Sequence, residues 1–261
     1  MSVRTKLYTT QLQAGLGLIQ ETRALLNLWH SGMNAQALFA AALAAGVCPG
    51  VTARRLRNIV LECFAPRYLI GQGAPARHLQ LLVSRLPAPQ ISQFMLLFTV
   101  RANRILGDFI REVYWPKYSA GATNLVAEDA RSFVLRALDD GRMSKRWSET
   151  TVRRVSAYLL GACADYGLLR RVSRTNLEIV PLRISDTVAA YLAYDLHYAG
   201  MGDTSLLNSE EWRIFGITAE EVLDELKRVS LKGHLIVQTG GGLSRLSWKY
   251  FDMDELCHEL N

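Results

Sequence analysis

The chain has 261 residues, 49% of them hydrophobic and 21% charged, with a formal net charge of +6. That balance is expected of a globular protein with a proper core, one large or two modest domains in size, and it excludes intrinsic disorder. The longest apolar run, 35–47, is broken by Gln36 and Gly46 and falls short of the roughly 18 consecutive residues of a membrane helix, so a membrane partner is not expected.

The N-terminus carries Arg4 and Lys6 followed by Thr9, Thr10, Gln11 and Gln13, without the apolar core and cleavage site of a signal peptide. Four cysteines, at 48, 63, 163 and 257, form no CxxC pair, which fits a reduced, cytoplasmic setting. Periodic apolar residues then predict helices over about 14–31, 34–45, 52–64, 75–86 and 89–114, punctuated by Gly32, the 46–50 glycine and proline cluster, Pro66 with Gly71-Gln72-Gly73, and Pro87. Five helices make a compact bundle over 1–115. Its third helix opens on Arg54, Arg55 and Arg57, a possible secondary nucleic-acid contact, while Arg101, Arg104 and Arg111 of the fifth read as surface residues or as partners of Asp108 and Glu112.

Residues 125–140 predict a further helix ending at Asp139-Asp140-Gly141, and Ser148 is an N-cap for the next one, with Glu149 at the positive end of its dipole. Val152, Val155, Leu159, Ala162, Cys163 and Tyr166 recur near a 3.6 period, Arg153 and Arg154 fall off that stripe, and Gly167 is the left-handed stop. Residues 168–173 and 177–180 then read as a hairpin, with Asn176 suited to positive φ at the turn. The loop between the two helices is longer than a tight helix-turn-helix turn, and helix plus hairpin suggests a winged-helix-like region over 116–204.

Eight cations fall between 142 and 174: Arg142, Lys145, Arg146, Arg153, Arg154, Arg170, Arg171 and Arg174. Hydroxyls and amides at a helix start donate to phosphate oxygens, and flanking arginines add charge and bidentate geometry. Ser148, Thr150 and Thr151 supply the first kind of group. The alternative is a solvated face on an ordinary small α/β domain, since most charge runs are no more than that.

Over 205–261 the grammar recurs. Thr218-Ala219-Glu220-Glu221 is a capping box, the helix runs to Ser230, and 234–238 and 243–248 form a hairpin around Gly240-Gly241-Gly242. This second winged-helix-like unit opens on Glu220, Glu221, Asp224 and Glu225, which repel phosphate, so it reads as a packing or protein-contact module. Divided at Pro116 and Leu206, the chain carries +8, +2 and −4 in turn. A basic front attracts an anionic partner and an acidic end faces away from one.

Enzyme signatures are poor. The triple glycine lacks the Lys-Ser/Thr of a phosphate loop, and the histidines at 30, 78, 197, 234 and 258 have no metal-ligand spacing, so neither catalysis, metal nor cofactor is expected.

Tyr8-Thr9-Thr10-Gln11-Leu12-Gln13-Ala14-Gly15 followed by Ile19-Gln20-Glu21-Thr22-Arg23, then Arg101-Ala102-Asn103-Arg104-Ile105-Leu106-Gly107-Asp108-Phe109, then Trp147-Ser148-Glu149-Thr150-Thr151 with the helix to Gly167-Leu168-Leu169, resembles the BrxA proteins of BREX bacteriophage-exclusion systems. The resemblance spans roughly 7–200. It implies a non-enzymatic cytoplasmic component of a multi-gene phage-defence locus, acting beside a methyltransferase, an ATPase and other BREX subunits. It also implies a mainly α fold, with a helical bundle similar to the NusB antitermination factor followed by winged-helix-like segments with small β-hairpins that bind double-stranded DNA. The expected DNA contacts are Lys145, Arg146, Ser148, Thr150, Thr151, Arg153, Arg154, Arg170, Arg171 and Arg174, mostly to phosphate. Two alternatives stand beside this: an adaptor for partner BREX subunits, and RNA binding through Arg54, Arg55 and Arg57. The sequence also leaves a homodimer open. The chain departs from shorter members by continuing past Asp195 through the acidic unit.

Overall fold

The computed structural model describes residues 7–143, 145–173, 176–241 and 243–260. It is mainly helical with small antiparallel sheets, as expected, and divides into two compact units, Met1–Arg77 with Met95–Pro181 and His78–Phe94 with Leu182–Asn261. The sequence division at 115 and 204 is linear, whereas both units are discontinuous along the chain.

Unit 1 starts with a 3-10 turn, Gln11–Ala14, then α1 (Ile19–Leu28), α2 (Ala35–Ala45), α3 (Ala53–Asn58), a π-helical turn Ile59–Phe64 and α4 (Ala65–Tyr68). After a 3-10 turn at Gly71–Gly73, α5 (Ala74–Val83) leads out of the unit and α6 (Ala88–Ala102) leads back. There follow α7 (Arg104–Phe109), a second π turn Ile110–Tyr114, α8 (Trp115–Ser119), β1 (Asn124–Leu125), α9 (Ala127–Asp139), α10 (Glu149–Asp165), β2 (Leu169–Arg171) and β3 (Leu177–Ile179). Leu25, Leu38, Val60, Phe64, Tyr68, Phe98, Phe109, Phe133, Val155 and Leu159 are buried at the centre.

Three expectations for the bundle need correction. The helix predicted over 14–31 begins only at Ile19, because Gly15 is extended and Leu18 adopts φ 50°. That bent segment is held from outside. The Arg67 guanidinium, 2% exposed, donates to the carbonyls of Gly15 and Leu16 at 2.8 and 2.9 Å, and the Gly17 amide donates to Asp165 Oδ2 at 2.8 Å. A Cβ on Gly17 would lie 2.5 Å from that of Asp165, so no larger residue fits without displacement.

Second, neither Pro66 nor Pro116 ends its helix. Each follows a π turn that opens the helix by one residue, which removes the clash between the proline ring and the carbonyl four residues back and the need for its missing amide. Third, the helix predicted over 89–114 breaks at Asn103, φ −126° and ψ 83°, whose amide and Nδ2 both donate to the Thr99 carbonyl. Beyond the break, Arg104 and Arg111 pair with Asp108 at 3.1 and 2.6 Å, as the spacing predicts, and Tyr8 donates to the same carboxylate at 2.6 Å.

Unit 2 is built on α11 (Asp186–Tyr198), capped by the Ser185 hydroxyl on the Val188 amide. The sequence reading has no element here, and the reason is physical: Thr187 to Tyr194 are all buried, so no exposed face creates a 3.6 period. The short α12 (Asp203–Leu207) and a 3-10 turn Trp212–Phe215 lead into α13 (Ala219–Leu231), whose Glu221 accepts from the Thr218 amide at 2.8 Å as the capping box predicts. Strands β4 (Leu235–Gly240) and β5 (Leu243–Trp248) pair antiparallel across the glycine turn, and α14 (Met253–Glu259) follows. Arg228 of α13 binds both Glu225 and Asp186, fastening α13 to α11. Tyr194 Oη donates to the His234 carbonyl at 2.6 Å and accepts from the Lys249 amide at 2.8 Å, tying the hairpin base to α11.

Candidate nucleic-acid interface

Within unit 1, α9 packs on α10 and the three short strands close the same substructure in the order β1-β3-β2. Ala130, Phe133, Val134 and Ala137 of α9 and Val152, Val155, Ser156 and Leu159 of α10 are buried, so both helices turn their apolar stripes inward. The linker between them is pinned rather than loose. Met143 and Trp147 are 9% and 8% exposed, Met143 bridges to Tyr8 in parallel, and the Tyr8 amide donates to the Arg142 carbonyl at 2.8 Å.

The N-terminus of α10 is capped as predicted. Ser148 Oγ accepts from the Thr151 amide at 3.3 Å and lies 3.0 Å from Thr151 Oγ1, so these two hydroxyls are already linked, while Thr150 is exposed. Arg153 and Arg154 are exposed one turn further on, and Lys145 and Arg146 are exposed before the cap, lining a cleft of about 530 Å³ with Leu135, Leu138 and Asp139. The hairpin brings Arg170 and Arg171 to the solvent, with Val172 59% exposed beside them. Gly167 takes φ 79° as the expected stop. The Asn176 carbonyl accepts from the Val172 and Ser173 amides, and its own amide donates to the Ser173 hydroxyl. Arg174 lies outside the described residues.

Ion pairing sorts the predicted cations into two classes. Arg142 is bound to Glu112 at 2.6 Å and Asp140 at 3.0 Å, with Tyr8 Oη at 3.2 Å, and the Glu112 bond raises its already high pKa. Arg170 meets Glu178 directly across the hairpin, with Nη2 at 2.5 Å and Nε at 3.0 Å. By contrast, Lys145, Arg146, Arg153, Arg154 and Arg171 have no carboxylate partner among the described residues. An arginine without an internal counter-ion is free to take an external anion without first breaking a bond.

Two residues that the sequence reading did not place together modify this surface. Arg131 of α9 reaches Glu149 at 3.0 Å and Glu128 at 3.7 Å, so the carboxylate at the head of α10 is partly neutralised by the neighbouring helix. Charge spacing within one helix cannot reveal a pair formed between two. Glu149 remains 69% exposed, and its charge opposes any phosphate approaching the helix start. The Arg54, Arg55 and Arg57 group sits on α3, with Arg54 and Arg57 exposed; Arg55 is half-buried and shares a cleft with Glu21 and Asp165. Among the described residues no helix is long and apolar enough to cross a membrane, and no histidine, cysteine and carboxylate cluster is arranged to hold a metal ion.

A family model described as BrxA matches residues 6–195. No curated protein matches. Among solved structures, the crystal structure of an uncharacterized protein from Magnetospirillum magneticum is similar, with a TM-score of 0.57 and 16% identity over 73% of this chain and 94% of that one; at this identity the likeness shows the fold.

Proposed function

The chain belongs to the BrxA family and so is a component of a BREX phage-defence system, and from that premise we propose that it binds double-stranded DNA without catalysing a reaction on it. The N-terminus of α10 meets phosphates and the β2-β3 hairpin lies alongside as a wing. The observation that carries this reading is a set of cations, Arg146, Arg153, Arg154 and Arg171, that are exposed around one capped helix and one hairpin without a carboxylate partner among the described residues. The strand order β1-β3-β2 beside the packed α9 and α10 supports a winged-helix-like reading of this part of unit 1. No Asn or Gln stands in the first two turns of α10, which leaves no carboxamide there to read adenine; the reading rests on phosphate contacts from the hydroxyls and arginines, with weak sequence preference.

Arg170 contributes less than its position suggests, since Glu178 already neutralises it. With about four phosphates engaged, log affinity falls against log salt with a slope of about −4. A salt-series anisotropy titration against a random duplex of about 30 base pairs, with single-stranded DNA and RNA as competitors, tests this directly. A flat salt response, or an absence of duplex binding at low salt, rules the reading out and assigns the basic surface to an acidic partner subunit.

The α10 head supplies a second expectation. Glu149→Gln removes the carboxylate that opposes phosphate and releases Arg131 from its partner, so duplex affinity rises about two- to fivefold at low salt, with the gain shrinking as salt screens it. The same titration on the variant checks it; lower affinity in a folded variant would mean that the head of α10 does not face DNA.

A further inference from the structure

The cleft beside the head of α10 holds more than the two cations assigned to DNA. Three of its lining residues, Leu135, Leu138 and Asp139, have the i, i+3 and i+4 spacing that places them on one face of α9, apart from the buried stripe of Ala130, Phe133, Val134 and Ala137. Leu135 and Leu138 are half-buried, and Met143 adds a third apolar side chain to the lining. The volume of about 530 Å³ lies within the roughly 300–1,000 Å³ of small-molecule sites.

The charges of this cleft are unmatched. Lys145, Arg146 and Asp139 are all exposed, and none has an ion-pair partner among the described residues, although the cations and the carboxylate line the same space. Nor does α9 gain from the carboxylate: Asp139 is the last residue of the helix, at the negative end of its dipole, where a cation is favoured. The neighbouring Asp140 is compensated by Arg142 at 3.0 Å, and Asp139 is not. Apolar walls, one acceptor-only group and two cations match a ligand with a flat apolar body, N–H donors along one edge and an anionic group. That combination describes a nucleotide.

The acceptor selects the base. An ionised carboxylate offers two acceptor oxygens and no donor, so it matches an edge with two adjacent donors. Among the four DNA bases only guanine has one, N1–H beside N2–H2; adenine and cytosine set a donor beside an acceptor, and thymine sets one donor between two acceptors. We infer that this cleft takes a guanine nucleotide, free or unpaired within a nucleic acid, with Asp139 accepting from N1–H and N2–H2. Leu135, Leu138 and Met143 pack against the base, as apolar side chains do around a base taken out of its stack, and Lys145 and Arg146 hold the phosphate. The site goes beyond the duplex reading, with which it shares Lys145 and Arg146.

Titration of the full chain with dGMP, dAMP, dCMP and dTMP, followed by heteronuclear NMR, tests the free nucleotide, and dGMP is expected to bind about tenfold or more tighter than the others. Duplexes of about 20 base pairs carrying one unpaired guanine or one unpaired thymine, compared with the fully paired duplex, test the same base within DNA. A guanine preference in the duplex series without dGMP binding assigns the site to nucleic acid; dGMP binding alone assigns it to the free nucleotide. Asp139→Asn replaces one acceptor by a donor and is expected to move the preference from guanine to adenine and cytosine in whichever series shows it, a change that a merely structural role would not produce. The variant removes an exposed charge from the wrong end of a helix, so it is expected to melt no lower than the parent. Equal binding of all bases in both series overturns the inference, as does a guanine preference that survives Asp139→Asn. Fully paired duplex binding without any guanine preference sinks this site and leaves the duplex reading intact; dGMP binding without duplex binding does the reverse.

Discussion

Replacing Arg153 and Arg154 by glutamate should weaken duplex binding by about 100-fold or more at moderate salt, since each charge-assisted bond to phosphate contributes about 1.5–3 kcal/mol and two are lost together. The substitution should leave the fold alone. Both side chains are exposed on α10, opposite the buried stripe of Val152, Val155 and Leu159, and neither holds a carboxylate in the described structure. The salt slope should fall with them, from about −4 to about −2, because two fewer counterions are released. Arg170→Gln is the matched comparison: it removes a wing cation already bound to Glu178, so affinity should change by less than about threefold. A folded Arg153→Glu, Arg154→Glu protein that binds duplex like the parent would falsify the assignment of this surface.

The difference between these two arginine sites marks where sequence reasoning stopped. The two helices, the cap at Ser148, the stop at Gly167 and the hairpin are local features, set by hydrogen bonding and periodicity within a few residues, and they were legible. Which cations are neutralised was not. Arg170 and Glu178 are cross-strand neighbours only once the register is fixed, Arg131 meets Glu149 only once α9 packs on α10, and Arg142 is consumed by Glu112, 30 residues earlier. A charge run overstates the charge available, and the pairing that reduces it is a tertiary property.

Failures in the fold have the same origin. A fully buried helix such as α11 leaves no polar face to betray its period, and its evidence in the chain is confined to the ends, Ser185 as cap and Gly200 at φ 88°. The continuation of two helices through Pro66 and Pro116 depends on a one-residue widening whose stability comes from surrounding packing, not from any local preference. The bend at Gly15 to Leu18 is likewise set by Arg67 and Asp165, 52 and 148 residues away from the groups they bind.

Asp108→Asn should destabilise unit 1 by about 2–3 kcal/mol at neutral pH, because it leaves cations next to a site that no longer carries charge. Asp108 is 7% exposed and accepts from Tyr8 Oη at 2.6 Å, Arg111 at 2.6 Å and Arg104 at 3.1 Å. The loss is smaller than for a fully buried pair because Arg104 is 42% exposed and can turn to water. Burial alone would raise the Asp108 carboxyl, but the bonds from Tyr8, Arg111 and Arg104 outweigh it and hold the group below the ordinary carboxylate range. A lowered folded value fixes the sign: the stabilisation is fully present above the unfolded value of about 3.9 and is lost as pH falls through the folded one. The gap between parent and variant should therefore be widest near neutrality and close only in strong acid. Tyr8→Phe removes one donor of three and should cost about 1 kcal/mol, with burial and the Asp108 bond keeping the phenol protonated throughout the range. Hydrogen exchange of the α7 amides reads these losses locally, which matters in a chain of two compact units that need not unfold together. Equal protection of α7 in Asp108→Asn and parent at neutral pH would show that the carboxylate is dispensable. Because Arg142 donates to Tyr8 Oη and leads directly into the linker before α10, Asp108 acts on the proposed interface only by holding Tyr8; duplex affinity of the folded fraction should change far less than its stability.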